Sequence, residues 1–383
     1  MKLERVCVKI CIPVFLTAGL VSCGGGAQNV MSHSTPPPSA PGAPAVSKSQ
    51  SAVHVTAPAN NATVLPSVQY VATATTTCAA GVSKMNIYTT PSTLAYSVSG
   101  GSLNTNLTLN PGTYATTVQA LDNCGGTAVV AVNIDVKAPQ YPAAPTPPGS
   151  NTFSNLQKGP GWTGYGLLPT SYSICSSCQP GGPQVTWSAS PGVSSPSITG
   201  SATRFDLGGQ TQFADALWNN HLVGDFSSHG LFDTNQSIAS SVHNFIYDVY
   251  FWVSDLSASQ AVEFDINQFV NGQSYIWGHE CRIAGGNQWD IWDNQGMQWH
   301  PTGIGCYPQG NAWNHLVLQV QRTSDGHLLF QSISLNGINK TLNYYESPTS
   351  TSWHGITVNY QMDGNQWQKP YSVYLDQLNF TYW

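Results

Sequence analysis

The chain is predicted to be all-β, a small sandwich followed by a larger jelly roll, on three observations. Only 8% of its 383 residues are charged, against 36 Gly and 25 Pro, a composition of turns and strands rather than helices. Short β-branched and alternating runs recur between Gly, Pro and Asn turns. Pro-rich stretches divide those runs into blocks, and the length suits two domains.

At the N-terminus, Lys2, Arg5 and Lys9 accompany an apolar run from Ile10 to Leu20 and the sequence Leu20-Val21-Ser22-Cys23. This pattern resembles a bacterial lipoprotein signal. The resemblance implies that residues 1–22 are cut off, that Cys23 carries the lipid, and that a membrane partner is reached through that lipid. Gly24 after the cysteine, rather than Asp, implies the outer membrane or cell surface of a bacterial envelope. The apolar run is about half the roughly 20 residues a bilayer crossing needs. Residues 23–51, mostly Gly, Ser, Pro and Ala, read as a disordered tether.

Residues 52–137 hold seven strand-like runs: Val53 to Thr56, Val68 to Thr75, Met85 to Tyr88, Leu94 to Val98, Leu103 to Leu109, Tyr114 to Leu121 and Val129 to Val136. With Pro58-Ala-Asn-Asn61 opening the block and Gly112-Thr-Tyr114 leading into its penultimate strand, it resembles the immunoglobulin-like modules of bacterial surface proteins. An immunoglobulin-like β-sandwich acting as a spacer follows, since the block contains no Trp and only two acids, Asp122 and Asp135. Residues 138–150 contain five prolines and read as a stiff extended linker.

Residues 151–383 carry all twelve tryptophans, so function is sought there. Strand-like segments at Gln184 to Ser188, Ser197 to Phe205, Asn244 to Val253, Ala261 to Phe269, Tyr275 to Ile283, Gln288 to Trp292, Trp313 to Gln321, Leu328 to Leu335, Gly355 to Tyr360 and Ser372 to Tyr382 predict a double-sheet β-jelly roll. Of nine cysteines, Cys7 and Cys11 leave with the signal and Cys23 takes the lipid. The remaining six pair by neighbourhood as Cys78 with Cys124, Cys175 with Cys178 and Cys281 with Cys306, one of 15 connectivities. Zinc is the rival at Cys175-Ser-Ser-Cys178, but no second CxxC or His pair stands at ligand spacing.

From Cys23 onward nine Lys and Arg face 17 Asp and Glu, which excludes a basic patch for nucleic acid and disfavours polyanionic glycans. In Val262-Glu263-Phe264-Asp265-Ile266-Asn267, period two sends the apolar residues inward and puts Glu263, Asp265 and Asn267 on one open face. Two acids on one strand face raise each other's pKa, and this keeps a general acid protonated near neutral pH.

This strand resembles the catalytic strand of the concanavalin-like jelly-roll β-glucanases, E-x-D-x-E or E-x-D-x-x-E, as the closing strand Tyr374-Leu-Asp-Gln-Leu-Asn-Phe380 resembles theirs. The resemblance implies Glu263 as nucleophile and Asp265 as its helper, whereas both acid/base positions are amides, Asn267 and Gln268, which cannot transfer a proton. A relocated acid is sought among Glu280, Asp290 and Asp293 on neighbouring strands. In Gln288-Trp-Asp-Ile-Trp-Asp293, alternation puts Gln288, Asp290 and Trp292 on the open face.

Sugar rings stack on indoles while their hydroxyls meet amides and His, so Trp252, Asn267, Trp277, His279, Gln288 and Trp292 are expected to bind substrate, with Trp299 nearby. The leading expectation is a neutral β-glycan bound as polysaccharide without catalysis. Glycoside hydrolysis with a relocated acid comes second, and a cell-envelope adhesion protein third. A uronate lyase built on His279, Glu280 and Arg282 is disfavoured by six cations against 15 acids in residues 151–383, and a GxSxG serine hydrolase by the absence of that motif. No cofactor is expected. A structural calcium is the alternative use of Glu263 and Asp265, with Asp233-Thr-Asn235 and Asp122-Asn123 as other oxygen donors.

Overall fold

The computed structural model describes residues 49–90, 93–142, 144–167 and 184–383. Strands β1 (Ser51–Ala57), β2 (Ala62–Val64), β3 (Ser67–Thr76), β4 (Val82–Thr90), β5 (Thr93–Ser99), β6 (Ser102–Thr108), β7 (Gly112–Asp122) and β8 (Thr127–Val136) form a first sandwich. Its sheets run β1-β3-β6 and β2-β8-β7-β4-β5. Alternation builds the core: Val68, Tyr70 and Ala72 of β3 face Met85, Ile87, Val118 and Ile134 of the other sheet. Every strand expected here forms, and the short β2, which sequence reading missed, pairs parallel with β8. Cys78 and Cys124 are bonded, joining the turns after β3 and β7.

The second sandwich stacks two larger sheets. One, the groove sheet, takes β10 (Thr163–Leu167), β13 (Asp215–Gly224), β15 (Ser259–Val270), β16 (Gln273–Arg282), β17 (Gln288–Asp293), β18 (Gln298–Gly305) and β23 (Gly355–Gly364) in the order β10-β13-β23-β15-β16-β17-β18, with β22 (Thr349–Ser350) on β16. The outer sheet takes β11 (Val185–Val193), β12 (Ala202–Gly209), β14 (Asn244–Val253), β19 (Trp313–Arg322), β20 (Leu328–Leu335), β21 (Ile338–Glu346) and β24 (Tyr371–Tyr382) in the order β11-β12-β24-β14-β19-β20-β21, with β9 (Asn151–Phe153) on β24. Phe205, Tyr247, Phe251, Phe264, Trp277 and Tyr360 fill the space between them. Cys281 and Cys306 are bonded within this core.

Strands β10, β13, β18 and β21 escaped the sequence reading. The strand expected from Ser197 starts only at Ala202, because Asp376 draws the N–H groups of Ile198 and Thr199 and the Ser197 and Thr199 hydroxyls into a turn, at 2.7–3.0 Å. Linker residue Tyr141 does not stand free: it stacks on His315 of the outer sheet, centroids 5.6 Å apart. The expected signal, Cys23, most of the tether and the Cys175–Cys178 pair lie outside the described residues. Among the described residues no helix is long and apolar enough to cross a membrane.

Candidate functional site

The site is set by one turn. Asn271 and Gly272, both at positive φ (55° and 73°), close a two-residue hairpin between Val270 and Gln273, the geometry that Asn-Gly favours. That turn fixes the β15–β16 register, in which Glu263 opposes Glu280 and Asp265 opposes Gly278. A slip of one residue would send every one of these side chains into the core. On the far side of β15, strand β23 sets Gln361 against Glu263, Asn359 against Asp265 and Thr357 against Asn267.

Rows of side chains therefore cross the open face of the groove sheet. One row reads Leu217, Gln361, Glu263, Glu280, Asp290. The next reads Asn219, Asn359, Asp265, Gly278, beside the indoles of Trp292 and Trp299, which meet edge to face at 5.2 Å. A third reads His221, Thr357, Asn267, Ile276, below the exposed Trp353. All but Gly278, Glu280 and Asp290, which continue the face at its margin, line a groove of about 430 Å³. Gly278 is required at its place, since a Cβ there would stand 2.9 Å from the Trp292 Cβ and 3.3 Å from Asp265 Oδ1.

The acids are buried and short of donors. Among the described residues no protein donor supports Glu280; burial, then the charges of Asp363 and Asp290, push it up to about 8. Burial, followed by Asp265, Asp363 and Glu280, lifts Glu263 well above the carboxylate range. Burial also raises Asp265, to about 6, held down by hydrogen bonds from Glu263 and from the Asn359 amide. The two shifts put the proton of the pair on Glu263 rather than on Asp265 at neutral pH. At the groove end, Asp215 rises to about 7 by burial, and Asp363 further by burial and Asp215. Among the described residues Arg282 is the cation paired with these acids: it faces Asp290 Oδ2 at 3.0 Å from Nε and donates from Nη2 to Oδ1 at 3.3 Å.

Four buried oxygens in the groove have no donor: Asn219 Oδ1, Asp265 Oδ1, Asn267 Oδ1 and Asn359 Oδ1. The Asn267 amide is oriented by its own bond to Thr357 Oγ1 at 3.1 Å. An unmatched acceptor costs about 1–3 kcal/mol, so this floor offers its oxygens to donors from water or from a ligand.

Of the residues singled out from the sequence, Glu263, Asp265, Asn267, Glu280, Asp290 and Trp292 share the open face, and all but Glu280 and Asp290 line the groove. Gln288 shares it too, but its amide is tied to Asp290 Oδ1 at 3.3 Å, at the groove margin. Three expected contacts are overturned. Trp277 and His279 are 0% exposed, because alternation along β16 turns them inward when Glu280 points out; His279 packs on Phe330, and burial lowers it to about 4. Trp252 lies on the outer sheet and faces away from the groove, against Trp313 and Tyr374. The other calcium candidates are filled by donors: Asp233 accepts from the N–H groups of Ser237, Ile238 and Ala239 and from His354, and Asp122 likewise accepts from its own loop. Sequence reading missed Asn219, His221, Trp353, Thr357, Asn359 and Gln361. The alternation Ile356-Thr-Val-Asn-Tyr-Gln-Met362, with an apolar and an amide-bearing face, is the signal that locates the β23 members.

The class defined by fold and site is a double-sheet β-sandwich protein with a carboxylate-lined, tryptophan-walled groove on one sheet. No family model matches the chain, and no curated protein sequence matches it. Among solved structures it resembles one described as "Structural basis for the promiscuous specificity of the carbohydrate-binding modules from the beta-sandwich super family", at 11% identity and TM-score 0.30, over 86% of this chain and 97% of that one. It also resembles lectin UEA-II complexed with galactose, at 11% identity and TM-score 0.32, over 57% and 98%. A third is peanut lectin with a nine-residue peptide, at 10% identity and TM-score 0.30, over 58% and 97%. At these scores the likeness concerns β-sandwich architecture alone.

Proposed function

We propose that the groove binds a neutral glycan chain and hydrolyses it, with Glu263 and Glu280 as the working carboxyls. The observation that carries this reading is the direct opposition of Glu280, at the groove margin, to Glu263, which lines the groove walled by Trp292 and Trp299. Directly opposed residues have Cβ atoms about 4.5–5.5 Å apart, close enough for both carboxyls to reach one glycosidic bond, as a retaining pair requires. Glu280, pushed up to about 8, holds the proton a general acid needs at neutral pH.

In the first step a Glu263 carboxylate oxygen bonds the anomeric carbon as the glycosidic C–O bond breaks, and Glu280 gives its proton to the departing oxygen. Water then attacks the same carbon, Glu280 takes the water proton, and the bond to Glu263 breaks. Glu263 must give up its proton before it attacks, and Asp265 beside it is the nearest acceptor. The acceptor row of Asn219, Asn359 and Asn267 supports hydroxyl recognition, and the excess of groove acids over Arg282 supports a neutral rather than an anionic sugar. A lipid on Cys23 would hold this activity at the bacterial envelope; Cys23→Ser should then shift the protein from the membrane to the soluble fraction.

The test is incubation with soluble and insoluble β-glucans, xylans and mannans, scoring retention and new reducing ends together. Release by the wild type that Glu263→Gln abolishes is the expected result; no retention on any glycan would overturn the reading and turn the search to a protein partner. Binding without turnover is the second reading, favoured by Asn267 standing where the E-x-D-x-E pattern has its acid/base. It predicts retention by both proteins without release.

A further inference from the structure

We propose that Asp293, His300 and Glu346 form a binding site for a divalent transition-metal ion, with zinc the best match, at the seam between the two sheets. Asp293 ends β17, His300 lies in β18 and Glu346 ends β21 of the outer sheet. One ligand atom from each lies within 4.8 Å of the other two. The two carboxylate side chains are 14% and 11% exposed, so they are largely withdrawn from water.

The two histidine–carboxylate contacts are longer than hydrogen bonds. His300 Nε2 stands 3.4 Å from Asp293 Oδ2, and Nδ1 stands 3.8 Å from Glu346 Oε1. The other buried histidine–carboxylate pairs of this chain close to ordinary hydrogen bonds, 2.7 Å for His315 with Asp248 and 2.8 Å for His354 with Asp233. Two of the three ligands are also held from behind. Asp293 Oδ1 accepts the N–H groups of Gln295 and Gly296 at 2.9 and 2.8 Å, which leaves Oδ2 facing His300. The Tyr344 hydroxyl meets His300 Nδ1 at 3.0 Å, the outer partner that fixes a metal-binding imidazole, and the Gln298 amide, 3.2 Å from Nε2, is the group an ion would displace.

One imidazole and two carboxylates with a free position suit zinc or a similar ion at bonds of about 2.0–2.2 Å, while calcium wants six to eight oxygens. Even a protonated His300 leaves one negative charge among the three, which a dication removes. The consequence reaches the groove, since Asp293 follows Trp292 and His300 follows Trp299. The ion would clasp the hairpin that carries the aromatic wall to the edge strand of the outer sheet. Metal binding here stands whether or not the groove hydrolyses glycans.

The test uses the untagged full chain, stripped with chelator and titrated calorimetrically with zinc chloride. One ion per chain is expected, weakened at least about tenfold by His300→Ala and by Asp293→Asn, and unaffected by His327→Ala at an exposed pair. Saturating zinc should raise Tm by about 5 °C. No binding by the wild type, equal binding by His300→Ala, or calcium binding in place of zinc overturns the proposal. Zinc-edge X-ray absorption of the wild type keeps the test independent of variant folding: an imidazole–oxygen shell supports the site, and a sulfur shell near 2.3 Å assigns the ion to cysteines instead.

Discussion

Asp122 in the first sandwich and Glu263 in the second are both buried carboxyls on strands, and they stand in opposite conditions. Asp122 accepts from the hydroxyls of Ser49, Ser51 and Thr76 and from the N–H groups of Cys124 and Gly126, and those bonds, Ser49 foremost, hold it far below the usual carboxylate range. Glu263 has a second carboxyl beside it, a third across the strand pair and, among the described residues, no donor, and it is driven up. The donors around Asp122 make it a structural tie for the corner that Cys78–Cys124 also closes. Glu263 and Glu280 instead leave the protein with an unmet demand that only a proton or a ligand meets.

The largest expected effect separates these two conditions by activity. Glu263→Gln should lower reducing-end release by roughly 10³-fold or more, and Glu280→Gln by about 10²–10⁴-fold. Asp122→Asn should leave release intact and lower Tm. The same contrast appears in pH dependence. The folded pKa of Glu280 lies above its unfolded value, so its contribution is complete below about 4.5 and is lost as pH rises towards 8. That of Asp122 lies below, so its contribution is present above about 3.8 and is lost as pH falls. Thermal unfolding across pH 3 to 8 should therefore show Asp122→Asn losing its penalty in acid and Glu280→Gln gaining stability over wild type in base.

Next in size is Trp277→Ala, a core truncation expected to cost about 3–5 kcal/mol, measured by denaturant unfolding, against Trp292→Ala, which should leave stability nearly unchanged and weaken glycan retention about tenfold. Equal stability losses would mean that β16 does not present its faces as described. The smallest change, Gly278→Ala, adds one methyl against Trp292, Trp299 and Asp265. It should weaken retention by a few-fold while Tm moves by only a few degrees.

What could be read beforehand follows the range of the interactions. The β15 strand announces its faces by strict alternation, and β17 does the same for Asp290 and Trp292, because period two is local. The pairing of Cys281 with Cys306 also follows from neighbourhood. Trp277 and His279 were misassigned by composition, although the parity that exposes Glu280 already buries them. The β13 and β23 contributions were out of reach, since Asn219 and Asn359 meet Asp265 only through a sheet order that brings β13, β23 and β15 together. The opposition of Glu263 and Glu280 depends on a strand register, which the sequence carries in the Asn271-Gly272 turn.

The most direct measurement is paired on one variant, Glu280→Gln: Tm at pH 8 and reducing-end release from the glycan that the wild type degrades. A higher Tm than wild type together with lost release is the predicted result. A lower Tm with release unchanged would make Glu280 a structural acid like Asp122 and contradict the assignment of the groove.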